Sequence, residues 1–189
     1  MRSIFILLML SAPLFLQGQR KFWITHYNMV VRGTSNLHDW ESRANEVRAN
    51  GEIVTEGSLI KSVASLQLEI PVRGIKSPKG SIMDGKTYDA LKATAFPYIT
   101  YKLDKVLMLT PKSGGYEGLA SGVLTIAGVS RPTELTVTGK MGADGSVVFS
   151  GRKQLKMTDF KISPPTALMG TLTTGDGIEV VYTITLKAF

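Results

Sequence analysis

The sequence predicts an all-β protein of about eight antiparallel strands with one short helical crossover, and three observations carry that expectation. Apolar and polar residues alternate with a period of two over several long stretches. Short Gly-rich or Asp-Gly links separate those stretches. A single segment, Ser81 to Ala95, carries helix signals instead.

Phe22 to Val31 and Glu41 to Val54 supply the first strands. Ala64, Leu66, Leu68, Ile70 and Val72 then alternate against Ser65, Gln67, Glu69 and Pro71, so one face is apolar and the other wet. In the helical segment Asp84 is placed to cap, Lys86 to Ala93 is a good helix former, and Phe96-Pro97 stops the run. Alternation returns at Ile99, Tyr101, Leu103, Leu107 and Leu109, broken by Lys105, and in shorter form at Leu124/Ile126, Leu135/Val137 and Val147/Phe149. The last strand sets Ile178, Val180, Tyr182, Ile184 and Leu186 against Glu179, Thr183, Thr185 and Lys187. Ser113-Gly114-Gly115, Ala127 to Pro132 and Ala143-Asp144-Gly145 read as turns between antiparallel neighbours, so most sequential strands pair as a meander. Such a set suits a closed up-and-down barrel or a sandwich, and closure removes the exposed edges. A barrel of this size either fills its interior with side chains or holds one small ligand, and alternation does not choose between them.

The N-terminus predicts export. Arg2 supplies a positive charge, Ile4 to Leu16 are almost wholly apolar, and Gln17-Gly18-Gln19 is a small, polar exit. An apolar run of about a dozen residues falls short of the roughly 20 needed to span a bilayer. The expected organisation is a signal peptide over 1–18, cut after Gly18 with Ala12 as the alternative, and one domain over 19–189. The chain has no cysteine, which removes a disulfide framework, a thiol nucleophile, a thiolate metal site and a lipidated cysteine together.

The formal charge is +7, yet Lys and Arg are spread along the chain without a run of four, so no nucleic acid is expected as a partner. The same charge favours transient contact with an anionic membrane surface or a phosphorylated ligand, or simply keeps the protein soluble.

Only two histidines are present, His26 and His38. His38-Asp39 suggests general-base chemistry or metal binding, but adjacent residues on an extended strand point to opposite faces. There is no usual His spacing for zinc and no G-x-S-x-G nucleophile elbow. The expectation is therefore no catalytic residue and no metal ligand, with Gly33 to Trp40 a polar turn over a packed tryptophan. Gly80 to Thr87 literally matches the phosphate-binding loop G-x-x-x-x-G-K-[ST]. That loop needs a parallel strand before it and a full helix after it, and the context here offers neither.

Five pieces in order resemble one family: Gly33-Thr34-Ser35-Asn36-Leu37-His38-Asp39-Trp40; Ile70-Pro71-Val72 with Ser77; Met83 to Tyr88 with Ala90-Leu91-Lys92 and Phe96 to Ile99; Gly122 to Pro132; and Lys156 to Phe160 with Pro164-Pro165. Together they resemble the YceI family of exported proteins that bind polyisoprenoid lipids. The familiar periplasmic members carry an aromatic and glycine pattern where this chain has Asn36 to Trp40, so it is similar to a different branch. Ala167 to Thr171 also differs between branches, and Met169 there either fills a gap or adapts to a flexible ligand.

The resemblance implies a single antiparallel eight-stranded lipocalin-like β-barrel with its helical segment near the mouth and an apolar tunnel for a long isoprenoid chain. The implied protein is a non-enzymatic carrier of a quinone or polyprenol, without any cofactor other than that lipid, in the periplasm or envelope of a Gram-negative-type bacterium. It is expected to be soluble after signal cleavage, as a monomer or weak dimer. Tunnel lining is expected from Leu66, Leu68, Ile70, Leu103, Leu124, Ile126, Leu135, Val137, Tyr182 and Ile184, with Tyr88, Leu91 and Phe96 near the mouth. Arg73, Lys76, Lys79 and Lys86 are the candidate headgroup contacts. Two alternatives stay open: a solidly packed, stress-related envelope protein without ligand, and a hydrolase or sensor built on His26 and His38.

Overall fold

The structure, a computed structural model, describes residues 18–56 and 59–188. The expected signal peptide lies almost wholly outside them. Eight long strands close into one antiparallel barrel in the order β1 (Gly18–Ser35), β3 (Arg48–Glu56), β4 (Leu59–Pro71), β6 (Tyr98–Lys112), β7 (Gly115–Ile126), β8 (Val129–Met141), β9 (Val147–Lys156) and β11 (Leu172–Ala188), with β11 returning to β1. Closure is made by an extended ladder running from Phe22↔Ala188 to Ser35↔Thr174. Three short strands dress the rim: β2 (Trp40–Ala44), β5 (Ile75–Lys76) and β10 (Thr166–Ala167). β1 is long enough to pair with β3 through Gly18–Trp23 and with β2 through Val30–Gly33.

The alternation read from sequence places most inner residues, and β-bulges explain the exceptions. On β4 the register slips where Glu52 faces Ser65 and Ile53 faces Val63. Val63 therefore turns inward and Ala64, expected inside, is exposed. On β6 two slips, at Leu103/Lys105 and Val106/Met108, put Val106 and Leu109 inside. Leu107, also expected inside, is 44% exposed. The link expected over Ala127 to Pro132 shrinks to two residues. Ala127 and Gly128 both take left-handed φ, 49° and 79°, as the tightest hairpin turn requires, and Val129 to Pro132 belong to β8. Pro132 is tolerated there because β8 pairs with β9 only over Val137–Met141, leaving its other edge free at that height.

The helix α1 is Ser81–Ala90, earlier than the helix formers suggest, with Gly80 rather than Asp84 at its N-cap. Gly80 takes φ 85°, a conformation that favours glycine, and Lys92 at φ 54° ends the run. Asp84 instead lies buried in the first turn, where its Oδ1 accepts Ser77 N–H at 2.7 Å and its Oδ2 meets Lys76 Nζ at 3.3 Å. The carboxylate thus fastens the incoming loop to the helix. The two-residue β5 before it is antiparallel, which removes the geometry a phosphate-binding loop needs.

The core has two levels. At the end where β3–β4, β6–β7 and β8–β9 turn, Phe22, Ile53, Ile60, Val147 and Leu186 are at most 3% exposed and form a packed floor. At the opposite end Ile126, Ala127, Met157, Phe160 and Ile162 make a second buried cluster beside Trp40 and Leu91. Among the described residues no helix is long and apolar enough to cross a membrane.

Candidate ligand-binding cavity

Between floor and rim the inner faces do not meet, and they enclose a cavity of about 620 Å³. The size lies within the ordinary range for small-molecule sites. Its wall is built by alternate residues of every barrel strand except β3, for example Ile178, Val180, Tyr182, Ile184 and Leu186 on β11. The rim is polar: Ser35, His38 and Asp39 from the β1–β2 turn, Lys79, Lys86 and Thr87 around α1, and Thr166 opposite.

Of the residues expected to line a tunnel, Leu66, Leu68, Ile70, Leu91, Leu103, Leu124, Ile126, Leu135, Val137, Tyr182 and Ile184 all face this cavity. Tyr88 and Phe96 do not. The Tyr88 hydroxyl donates to the Arg73 and Ile75 carbonyls at 2.9 and 3.2 Å, which turns its ring away from the interior. Phe96 is packed over the β7–β8 turn, where a Cβ on Gly128 would collide with its ring. Arg73 and Lys76 are also not on the cavity wall. Their cationic ends stand 5.5 and 5.2 Å from the Tyr88 ring centroid, and Lys76 Nζ additionally donates to the Tyr88 hydroxyl at 2.6 Å. The tyrosine's hydroxyl bond and the Asp84 carboxylate raise the Lys76 pKa, keeping it cationic. Lys79 and Lys86 alone of the four border the mouth, and Lys86 Nζ donates to the Thr166 carbonyl at 3.1 Å, tying α1 to β10.

Sequence reasoning missed several wall residues. Met29 and Val31 face inward because a bulge between Ile24 and His26 inverts the parity of β1. Tyr101 was legible as an inward residue, but not as a cavity residue. Lys153 continues the inward series Val147, Phe149, Gly151 and Leu155, a signal visible in the alternation once Phe149 is assigned.

The turn that holds His38 is a structural clasp. Ser35 Oγ accepts the Leu37 and His38 N–H groups at 3.3 and 3.1 Å and donates to the His38 carbonyl at 2.6 Å. Asn36 grips the other side of the mouth: its Nδ2 donates to Thr171 O at 2.8 Å and its Oδ1 accepts Thr173 N–H at 3.0 Å. Trp40 lies over Gly33, where a Cβ would strike its ring, and its Nε1 donates to Thr34 O at 3.1 Å. His38 Nδ1 bonds the Asp39 carbonyl at 2.8 Å and His26 Nδ1 meets Thr25 Oγ1 at 3.3 Å. Both rings are exposed, and among the described residues no hydrogen bond joins either to a carboxylate or to the other. On the far rim Asp176 caps the turn at Thr158, accepting its N–H at 2.9 Å and its hydroxyl at 2.8 Å, and these bonds hold the Asp176 carboxyl below its ordinary value.

A hollow eight-stranded barrel with a helix at its mouth is the architecture that the five sequence pieces imply, and the family model for the YceI-like domain matches residues 19–186. The chain belongs to the YceI family. Solved structures similar to this YceI-like chain include BcnA of Burkholderia cenocepacia, at 15% identity, TM-score 0.65, and coverage of 84% of this chain and 95% of that one. A polyisoprenoid binding domain from Saccharophagus degradans, implicated in plant cell wall breakdown, is 13% identical with a TM-score of 0.66, covering 91% and 100%. The Campylobacter jejuni YceI protein is 21% identical with a TM-score of 0.59, covering 78% and 84%. At these identities the likeness is one of fold. A search of the curated proteins returns no match.

Proposed function

We propose that this YceI-like protein is an exported, non-enzymatic carrier that shelters a long-chain isoprenoid lipid, of quinone or polyprenol type, inside its barrel. The single observation behind this reading is the apolar cavity walled by leucine, isoleucine and valine from seven of the eight barrel strands. Each buried CH₂ of a ligand contributes roughly 0.8 kcal/mol, so a hydrocarbon chain needs few polar contacts to bind. The similar polyisoprenoid binding domain supports the ligand class. No cofactor is required by this role.

Loading is proposed to occur at an anionic membrane surface. Lys79 and Lys86 border the mouth, and the apolar residues Leu37 and Ile82 beside it are 69% and 78% exposed. That pairing of cations with exposed hydrocarbon suits a transient interfacial contact. The proposed compartment is the periplasm or envelope, reached through the signal at 1–18.

Mass spectrometry of the organic extract of natively purified protein tests the reading. An isoprenoid at near-stoichiometric amount is expected from wild type and from Gln67→Arg, whose side chain is exposed, and not from Leu68→Arg, which places a charge on the cavity wall. A clean extract from folded wild type would overturn it.

A further inference from the structure

Three inward tyrosines differ in what holds their hydroxyls. Tyr116, near the packed floor, accepts the Ile60 N–H at 3.1 Å. Tyr101 and Tyr182 are only 5% and 9% exposed, and neither hydroxyl has a hydrogen-bond partner among the described residues. A buried hydroxyl left unpaired has given up its hydration for nothing, so two of them in one cavity lining mark a place where an acceptor is to be supplied.

Their placement is built by glycines. A Cβ on Gly122 would lie 2.6 Å from the Tyr101 hydroxyl, and one on Gly151 would lie 2.5 Å from the Tyr182 hydroxyl. Each phenol therefore occupies room that only glycine leaves. Gly122 is on β7 and Gly151 on β9, the strands that flank β8, so the two phenols lean from β6 and β11 toward the inner face of β8, where Gly122 pairs with Thr133 and Gly151 with Val137. Burial pushes both phenols up to about 12, and Tyr101 adds to the rise at Tyr182. Both are thus O–H donors at neutral pH.

We propose that Tyr101 and Tyr182 form an internal hydrogen-bonding site that receives an uncharged oxygen acceptor of the bound lipid, a quinone carbonyl or prenol hydroxyl, so that the polar end is carried inside the barrel. The inference rests on the lipid-carrier reading above and adds the headgroup's chemistry and position. An ionised phosphate does not suit this site, because phenols supply no counter-charge and a buried anion needs one. Lys153, one inward step nearer the mouth on β9, is only partly buried, and its long stem lets the ammonium turn toward water.

The test compares two probes of equal tail, a decyl benzoquinone and decylbenzene, on wild type and on the Tyr101→Phe/Tyr182→Phe double variant. Trp40, which faces the cavity, supplies a fluorescence readout. The double variant is expected to bind the quinone about tenfold more weakly or worse, and decylbenzene as wild type does. An unchanged quinone affinity, or an equal loss for both probes, would overturn the site while leaving the carrier intact. Failure of wild type to bind either probe would overturn the carrier reading itself. Independently of any variant, the carbonyl infrared band of the quinone bound to wild type is expected at lower frequency than in hydrocarbon solvent. A band at the hydrocarbon position would overturn the proposal.

Discussion

The two ends of this barrel are made by the same strands and the same alternation, yet one is solid and the other hollow. At the floor Phe22, Ile53, Val147 and Leu186 are at most 1% exposed and fill the space between the strands. Higher up, Leu66, Leu103, Leu124 and Leu135 point inward equally well but stay partly accessible across an open cavity. What differs is closure from above: α1 and the Met157–Ile162 cluster roof the upper part without entering it. An apolar inner face is thus no evidence for a packed core. A hollow persists where the strand number sets the barrel's width and the inner side chains do not reach one another across it.

That contrast makes its sharpest prediction in stability. Phe22→Ala is expected to cost about 3–5 kcal/mol in chemical denaturation, as a filled core site does, whereas Leu135→Ala is expected to lose less than half as much. Equal losses would mean that the upper barrel is packed as tightly as the floor.

A change that fills space tests the boundary between the two ends. Gly151→Ala brings a methyl onto the Tyr182 hydroxyl and the Thr136 carbonyl, and about 1–3 kcal/mol of destabilisation is expected. Gly177→Ala, with nothing within 4 Å of its Cβ, serves as the control and should melt within a degree or two of wild type. If Gly151→Ala melts with it, the tyrosine is free to move and the cradle is not tight.

The smallest expected effect concerns the roof. Asp176 is held in its ionised form chiefly by the Thr158 N–H and hydroxyl, so its folded value lies below the ordinary 3.8. A depressed carboxylate contributes stability that is present above its unfolded value and lost as pH falls through the folded one. Protection of the Thr158 and Phe160 amides, taken as exchange relative to the intrinsic rate at each pH, is therefore expected to fall below about pH 4 in wild type and to be low already at neutral pH in Asp176→Asn. Protection that does not change with pH would show that the roof is held without this cap.

Most of the site was legible because β-structure writes its inner face into the sequence every second residue. Leu68, Ile70, Leu124, Ile126, Leu135 and Val137 needed nothing more. Ala64 and Leu107 were misplaced because a bulge adds one residue and reverses parity, a choice made by the partner strand. Tyr88 and Arg73 sit in the right region but face each other across the outside of α1, an arrangement that depends on where Asp84 anchors the helix. The chain belongs to a family readable from five short pieces, and those pieces turn out to be rim parts: the Asn36 clasp, the helix, the Ala127-Gly128 turn and the Thr158 cap.

The sequence by itself determined the strands, their inward faces, the single helix and the family, because these follow from local periodicity, turn chemistry and motif order. Only the tertiary structure decided that the barrel is hollow above Phe22, that of the four expected headgroup cations Lys79 and Lys86 border its mouth and Arg73 and Lys76 do not, and that Tyr101 and Tyr182 hold their hydroxyls without a partner among the described residues. Those properties belong to distances between strands far apart in the chain, and a spacing across empty space leaves no trace in the order of residues along either side.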